Sequence, residues 1–270
     1  METSIGTLHA AILGIVEGLT EFLPISSTGH LILAGHLLGV QGEAAKTFEI
    51  VIQAGALIAV LGLYGSRVRS MGRGLFGHDA AGRALLSKLV VSFLPAALVG
   101  GAFHSGIKAR LFSVWPVVGA LAVGGVVMIA LDPWLRHRQA TRTIDSLGLG
   151  EALLIGLAQC LSLWPGTSRA MVTILAGLLL GLSATAAAEY SFLLALPTLG
   201  AATLFDAMKS GSMLVTHVGW LAIFVGFFTA AVVAALAIKG LIQYLTRHGL
   251  AVFGWYRVGL ALLVGWMVGW

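Results

Sequence analysis

Six apolar runs divide this chain, and each is close to the roughly 20 residues that a helix needs to cross the hydrocarbon core of a bilayer. Of the 270 residues, 58% are hydrophobic and 10% are charged, whereas soluble domains carry about 25% charged residues. The sequence therefore excludes a soluble protein and predicts an all-α polytopic membrane protein. The six transmembrane helices are predicted at 48–64, 86–104, 113–131, 186–206, 217–239 and 252–269.

Two further apolar stretches, 7–39 and 149–181, are interrupted near the middle by proline-containing polar segments, LPISSTGH in the first and WPGTSR in the second. Each stretch is too short for two full crossings, so we expect two re-entrant helix hairpins that enter the membrane and return to the same side. Irregular backbone at membrane depth is tolerated only where protein or a water-filled cavity surrounds it. The two breaks are therefore the predicted functional site.

The second broken stretch repeats the first. When the sequence is shifted by 142 residues, ten positions of the first stretch fall on identical residues of the second, and Ser26 falls on Ser168. We expect a single membrane domain, 1–270, with a first repeat at 1–135 and a second at 149–270, each containing one hairpin and three spans. Because the number of crossings is odd, the second repeat is inverted. Inverted repeats place broken-helix sites together near the midplane.

The basic residues favour one orientation. If the 65–88 loop is cytoplasmic, ten lysines and arginines lie inside and four lie outside, the bias expected of a multi-pass membrane protein. Topology then explains the formal charge of +5, and no nucleic-acid partner is expected. The first hairpin opens to the outer face and the second to the cytoplasm. The inner set is Arg67, Arg69, Arg73, Arg83, Lys88, Arg136, Arg138, Arg142, Lys239 and Arg247, and the outer set is Lys46, Lys108, Arg110 and Lys209.

Two carboxylates enter the first break together. Glu17 and Glu21 are four residues apart, which places both on one face of a helix. Carboxylates inside apolar membrane segments are costly and usually functional, and an adjacent pair repels unless it shares a proton or a cation. A divalent cation with oxygen ligands, Mg²⁺ or Ca²⁺, would resolve the repulsion. A solvated helix end, or a hydrogen bond to Thr20, is the alternative.

Hydroxyls and an imidazole follow Pro24. Ser26, Ser27 and Thr28 stand where the next helix begins, and free N–H groups at a helix start make a ready anion site. Any one of these hydroxyls could instead be an ordinary N-cap. His30 is a candidate general acid or base, although a buried histidine bonded to a carbonyl is the alternative.

The second break adds a fixed positive charge. Arg169 lies in the first turn of a helix, where a cation opposes the helix dipole and so requires an anionic partner. That partner is either a phosphate or carboxylate of a substrate or an internal carboxylate, Glu17 or Glu21. In both cases the two breaks should face each other. Together these residue types indicate phosphoryl chemistry on a lipid headgroup.

The segments EGLTEFLPISSTGH and PGTSRAMVT resemble the two signature regions of the bacterial undecaprenyl-diphosphate phosphatases of the bacitracin-resistance type. Those regions read Glu/Gln-x-x-x-Glu followed by PxSSTGH, and PGxSRSxxT. The resemblance extends to FEIVIQAGALIAVL at 48–61, AEYSFLLALP at 188–197 and the last span, and so covers nearly the whole chain. Ala170 departs from the pattern, which usually has a second serine there, and puts only a secondary hydrogen bond in doubt.

The resemblance implies hydrolysis of undecaprenyl diphosphate to the monophosphate, which recycles the lipid carrier of cell-wall precursors. It also implies a site that opens to the outer face of the bacterial inner membrane. Glu49 and Gln53 match the family's FExxIQ stretch and are left outside the core site. The implied roles are acidic for Glu17 and Glu21, nucleophilic for Ser27, proton transfer for His30, phosphate clamp for Arg169, and supporting phosphate-binding hydroxyls for Ser26, Thr28, Ser168 and Thr173.

Three readings remain open at this stage. In the preferred one, Ser27 attacks the terminal phosphorus to form a phosphoserine, and its variant is direct attack by a metal-activated water. A transporter or flippase of an anionic isoprenoid phosphate is the rival, since broken helices in inverted repeats also serve alternating access. A structural protein is the third. The glycine-rich helices, with Gly119, Gly124 and Gly125 among many, permit close packing within one chain or between two copies, so a homodimer is open as well.

Overall fold

The chain is organised as helices joined by short connections. The computed structural model describes residues 5–40, 42–111, 113–138 and 140–268. These residues form α-helices, two short 3-10 segments at Ile144–Ser146 and Cys160–Leu163, and no β-strand beyond one isolated bridge. The helices are α1 (Thr7–Thr20), α2 (Ser27–Leu38), α3 (Glu43–Leu63), α4 (Gly65–Leu75), α5 (Ala80–Leu111), α6 (Val114–His137), α7 (Leu149–Gln159), α8 (Arg169–Leu179), α9 (Ala184–His217), α10 (Trp220–Leu245) and α11 (Ala251–Val268).

The helices confirm the prediction of an all-α polytopic membrane protein. Four of them, α5, α6, α9 and α10, are long and apolar enough to cross a bilayer, and the bent pair of α3 and α4 makes a fifth if it counts as one span. Each of the five overlaps a predicted span. The sixth predicted span, 252–269, becomes α11, whose described apolar part Ala251–Met267 is a shorter helix.

The hydropathy pattern does not reveal the sharp bend between α3 and α4, which meet at 85°. The bend directs α4 against the beginning of α5. The two helices approach closely at Gly74 and Gly82. A side chain at position 74 has no room there, because a Cβ at Gly74 would lie 2.6 Å from the Gly82 carbonyl carbon. Arg67, Arg69 and Arg73 of the predicted cytoplasmic set therefore belong to a helix rather than to a loop.

Each hairpin packs on the opposite half of the chain. The first lays α1 along α10, and the second lays α7 along α5. A Cβ at Gly14 would lie 2.6 Å from the Gly226 carbonyl oxygen of α10, and one at Gly156 would lie 2.7 Å from the Ser92 Cα of α5. Gly14 and Gly156 are 142 residues apart, so equivalent positions of the two stretches make equivalent close contacts.

Three basic residues of the predicted inner set gather at one end of the helices. Arg67 Nη1 lies 3.2 Å from a carboxylate oxygen of Asp145, and Lys88 donates to the Asp145 carbonyl at 2.9 Å. Arg142 forms a bidentate pair with Glu151 at 2.7 and 2.9 Å. These three residues of the predicted inner set therefore lie together. The side chains of the predicted outer set, Lys46, Lys108, Arg110 and Lys209, lie outside the described part of the chain.

The glycine-rich part of α6 packs against α11 within the chain. A Cβ at Gly125 would lie 2.7 Å from the Gly254 carbonyl oxygen, and one at Gly254 would lie 2.7 Å from that of Gly125. Gly124 contacts the side chains of Arg257 and Met171. Two of the three glycines considered for dimer packing are thus used for intrachain contacts.

Candidate functional site

The first break connects α1 to α2. Glu21 follows the last residue of α1 and donates its N–H to the Glu17 carbonyl at 2.9 Å, so the two carboxylates share one face as predicted. Both side chains are buried. The alternative hydrogen bond from Thr20 does not form, because the Thr20 hydroxyl donates to the Val16 carbonyl at 2.7 Å.

The second break connects α7 to α8 through the 3-10 segment Cys160–Leu163. Arg169 is the first residue of α8, and it is buried despite its charge. Its guanidinium lies over the ring of Phe22 at 5.8 Å, and Phe22 belongs to the first break. The prediction that the two breaks face each other is therefore confirmed.

One serine in each break has an unusual backbone conformation. Ser26 has φ 74° and Ser168 has φ 71°, and they are the only residues other than glycine with positive φ in the described part of the chain. Left-handed backbone costs a residue with a Cβ about 1–2 kcal/mol, and such outliers concentrate at functional sites. The two serines are related by the 142-residue shift, so both breaks turn into their second helix in the same way.

Glu21 joins the two breaks. Its Oε1 lies 3.1 Å from Arg169 Nη2, and both side chains are almost fully buried. The internal ion pair that the sequence left as an alternative is thus present, with Glu21 as the partner. Arg169 Nη1 also donates to the Ser191 carbonyl at 2.9 Å. Arg169 Nε is buried and has no hydrogen-bond partner among the described residues.

Ser27 is held by the same carboxylate. Its Oγ donates to Glu21 Oε2 at 2.6 Å, a length typical of a hydrogen bond to an ionised acceptor. Glu21 therefore uses one oxygen for the arginine and the other for the serine. This arrangement places a carboxylate base directly on the predicted nucleophile.

Neither ring nitrogen of His30 bonds Ser27. Its Nδ1 lies 2.7 Å from the Ser26 carbonyl and its Nε2 lies 2.7 Å from the Tyr256 hydroxyl. Because a carbonyl can only accept, Nδ1 carries the proton, and the tyrosine donates to Nε2 of the neutral ring. The carbonyl bond that the sequence left as an alternative for His30 is therefore present.

The carboxylates of this site suit a hard cation. Glu17 is within electrostatic range of two other carboxylates, those of Glu21 and Glu49, and of the Arg169 guanidinium. Mg²⁺ commonly binds through one or two carboxylates together with water and substrate phosphates, and Glu17 and Glu21 fit that need. No group of three or more acidic, histidine or cysteine side chains close enough to hold a metal occurs among the residues that the structure describes.

A cavity of about 770 Å³ lies between the breaks. Its polar lining comprises Glu21, Ser26, Ser27, Thr28, Gln53, Ser162, Ser168, Thr198 and Arg169. Its apolar wall comes mainly from α5 and α9, with Phe93, Ala96, Ala97, Leu199 and Phe205 among the residues. Phe205 is exposed, so the cavity reaches the surface on its apolar side.

Three predicted site residues do not line this cavity. Glu17 and His30 are absent from its lining. Thr173 is also buried behind the wall, where its hydroxyl donates to the Arg169 carbonyl at 2.8 Å and shares a hydrogen bond with the Ser191 hydroxyl at 2.7 Å. The predicted direct phosphate contact of Thr173 is therefore absent from this arrangement, in which Thr173 supports the helix turn that carries Arg169.

Sequence reasoning missed four residues of the site. Gln53, left outside the core site, lines the cavity and accepts a hydrogen bond from the Thr203 hydroxyl. Ser191 and Tyr256 contact Arg169 and His30, and Arg257 reaches both breaks. Of these four residues, the sequence indicated only Arg257, because it is a charged residue inside a predicted span and such residues are usually functional.

The site lies among helices of membrane-spanning length. In it a carboxylate bonds a serine and also pairs with an arginine. This arrangement is typical of a hydrolase of phosphate groups, here an integral membrane one. The chain belongs to the family described as bacitracin resistance protein BacA, whose family model matches residues 10–263. That match covers both breaks and every helix that contributes to the cavity.

Three relatives carry the same named activity. An undecaprenyl-diphosphatase of Sorangium cellulosum is 51% identical over 261 residues, covering 96% of this chain and 85% of the relative. Undecaprenyl-diphosphatase 2 of Rhodospirillum rubrum is 47% identical, covering 95% of this chain and 93% of the relative. An undecaprenyl-diphosphatase of Dechloromonas aromatica is 46% identical, covering 97% of this chain and 96% of the relative.

Proposed function

We propose that this protein hydrolyses undecaprenyl diphosphate to undecaprenyl phosphate and inorganic phosphate, and thereby recycles the lipid carrier used in cell-wall synthesis and confers bacitracin resistance. The observation that carries the proposal is Glu21, which bonds Ser27 at 2.6 Å and Arg169 at 3.1 Å at the cavity wall. The polar part of the cavity suits a diphosphate, and its apolar wall suits the first isoprene units.

The first step transfers the terminal phosphoryl group to the protein. Ser27 Oγ attacks the terminal phosphorus, its proton passes to Glu21, and the anhydride bond breaks to release the isoprenyl monophosphate. Arg169 turns from the carboxylate toward the phosphoryl oxygens as charge develops on them. Ser26, Thr28, Ser168 and the N–H groups at the start of α2 supply further donors.

The second step removes the phosphoryl group from Ser27. Water attacks the phosphoserine, a base takes its proton, and the Ser27 oxygen regains the proton held by Glu21. We assign the base to His30, whose Nε2 is the ring nitrogen without a proton, or to Glu17. Neither side chain lines the cavity, so the proton reaches either residue through a bridging water. Direct attack by an activated water in place of Ser27 is the variant that intermediate trapping distinguishes.

Glu17 and Glu21 are the residues that we assign to a divalent cation, Mg²⁺ or Ca²⁺. Such a cation, when bound, neutralises charge on the phosphate oxygens. The proximity of the two carboxylates supports this assignment, because Glu17 and Glu21 are both buried on one face of the helix, and repulsion between buried carboxylates is relieved by a cation.

We further propose six membrane crossings and two re-entrant hairpins in an inverted repeat. Two observations support it: the matched left-handed serines at positions 26 and 168, and the matched packing of each hairpin on the other half. An opening to the outer face is supported by α5. Lys88 lies at the basic end of this helix. Gly101, which lines the cavity, comes 13 residues later and is therefore roughly 20 Å further along the helix. The cavity is thus displaced from the basic end, toward the opposite face.

The first experiment measures phosphate release by the purified protein in detergent. With a long-chain isoprenyl diphosphate as substrate, EDTA should lower kcat by at least about 100-fold, and added Mg²⁺ or Ca²⁺ should restore it. Inorganic diphosphate, which lacks the isoprenoid, should be a poor substrate, because only the lipid fills the apolar wall. Undiminished release in EDTA would overturn the metal assignment, and no release from a protein that binds the lipid would favour the transporter.

Tyr256→Phe tests the contact with His30. Loss of the hydroxyl leaves His30 Nε2 without its donor, and kcat should fall by about 10-fold if His30 handles the proton of the second step. Tyr244→Phe is the matched control, because Tyr244 also stacks on a histidine, His248, whose ring nitrogen bonds the Tyr244 carbonyl rather than a residue of either break. Equal rates for the two variants would remove His30 and Tyr256 from the mechanism.

A further inference from the structure

Arg257 is buried without an ionic partner. It lies in α11, its side chain is fully inaccessible, and it forms no ion pair with any residue in the described ranges. An unpaired charge in such a place is costly. The side chain must therefore make contacts that justify its burial.

Its contacts are four backbone carbonyls. Nη1 donates to Pro24 in the first break at 3.4 Å, and Nη2 donates to Gly166 in the second break at 2.9 Å. Nη2 and Nε also donate to Ala120 and Leu121 of α6, at 3.0 and 3.3 Å. One side chain thus joins both breaks to each other and to a spanning helix.

The two break carbonyls depend on this side chain. Neither Pro24 nor Gly166 accepts a hydrogen bond from another described residue, and a buried carbonyl without a donor is costly. Ser27 lies three residues after Pro24, and Arg169 lies three residues after Gly166. Fixing the two carbonyls therefore fixes the starts of the two helices that carry the reacting groups.

The neighbouring helix is shaped to admit this guanidinium. A Cβ at Gly124 of α6 would collide with Arg257 Nη2 and lie 3.0 Å from its Cζ. A residue with any side chain at position 124 would have to displace the guanidinium. Arg257 itself does not line the cavity, so it does not contact substrate there.

We infer that Arg257 is a positioning residue that sets the relative position of the two breaks, and through them the distance from Ser27 to Arg169. The kinetic part of this inference rests on the proposed phosphatase function. The structural part does not, because the order of the two breaks can be measured without substrate.

The test compares hydrogen–deuterium exchange and kinetics of the purified full chain in detergent. In Arg257→Met, exchange should accelerate by about 10-fold or more in peptides from both breaks, while α3 and α10 stay protected. The kcat should fall by about 30-fold or more with KM changed by less than about threefold, because misplaced groups impair the chemical step. Arg257→Lys keeps the charge but loses the planar fork, and should lie between Arg257→Met and the wild type.

Two further variants make the test decisive. Gly124→Ala displaces the guanidinium without removing it, and should accelerate exchange in both breaks in the same way. Lys88→Met is the matched control, since Lys88 is a buried cation that donates to the carbonyls of Ile144 and Asp145, at the basic end of the helices. It should leave exchange in the breaks and kcat within about twofold of the wild type.

Unchanged exchange at the breaks in a folded Arg257→Met protein would overturn the inference. If that variant does not fold, unchanged exchange in Gly124→Ala would overturn it equally. A raised KM with unchanged kcat would show that Arg257 acts on substrate binding instead. Faster exchange in both breaks of a protein whose wild type releases no phosphate would uphold the positioning role and remove the proposed function.

Discussion

Ser27→Ala should lower kcat by at least about 1,000-fold, the largest effect expected of any substitution in this chain. The Ser27 hydroxyl is the group that Glu21 holds at 2.6 Å beside the Arg169 ion pair. Without it no phosphoserine can form, while the charges that bind the diphosphate are unchanged. Substrate affinity should therefore stay close to that of the wild type. Phosphate release and lipid binding, measured on the same preparation, separate the two effects.

Ser162→Ala is the control for this variant. Ser162 lines the same cavity, but its hydroxyl donates to the Gln159 carbonyl at 2.7 Å, so its loss should change kcat by less than about threefold. Acid quenching with a substrate labelled in the terminal phosphate should trap label on the wild type. If Ser27→Ala keeps more than about a tenth of the wild-type kcat, the serine is not the nucleophile and an activated water takes its place.

Arg169→Ala should lower kcat by about 100- to 1,000-fold. The guanidinium is the only cation that lines the cavity within the described part of the chain, and it supplies the donors for oxygens on which charge develops. Arg169→Lys should recover little, because an ammonium lacks the planar fork that keeps one nitrogen on the Ser191 carbonyl while the other turns from Glu21 to a phosphoryl oxygen.

The same substitution should affect stability, and this effect can be separated from catalysis. Removing one partner of a buried ion pair costs about 3–5 kcal/mol, since the other charge is left uncompensated. Adding Glu21→Gln to Arg169→Ala should recover much of that stability, because it removes the uncompensated charge. The double variant should therefore have a higher thermal midpoint than Arg169→Ala and remain inactive. Arg142→Ala removes a partly exposed pair with Glu151 and should lower the thermal midpoint much less, because water screens an exposed ion pair. A fully active Arg169→Ala protein would contradict the proposed clamp.

The helical class, the positions of the breaks and the facing of the two breaks follow from the sequence. Spanning length and the placement of Pro24 and Pro165 are local features, and local patterns are readable without tertiary information. The pairing of Arg169 with a carboxylate follows from the cost of an isolated buried charge. The sequence offered Glu17 and Glu21 equally, and only the structure identifies Glu21 as the partner.

The parts that the sequence does not reveal depend on contacts between distant segments. The Tyr256 hydroxyl meets His30 across 226 positions of the chain, and no periodicity within α11 indicates this contact. The left-handed conformation of Ser26 and Ser168 is not readable from the sequence, because hydroxyl-rich helix starts have the same composition in either backbone conformation. Ser168 nevertheless caps α8, since its hydroxyl accepts a hydrogen bond from the Met171 N–H at 3.2 Å. The side-chain direction of Thr173 depends on Ser191, which lies on another helix.

The packing of each hairpin on the opposite half has a consequence for biosynthesis. Gly18 of α1 has its close contact with the backbone of Ala230 in α10, about 210 residues later in the chain. At the roughly 5–20 residues per second of translation, about 10–40 s pass between the synthesis of these two segments. During that interval α1 has no native partner in α10, and the positioning residue Arg257 has yet to be made. The catalytic centre is therefore among the last regions of the protein to assemble.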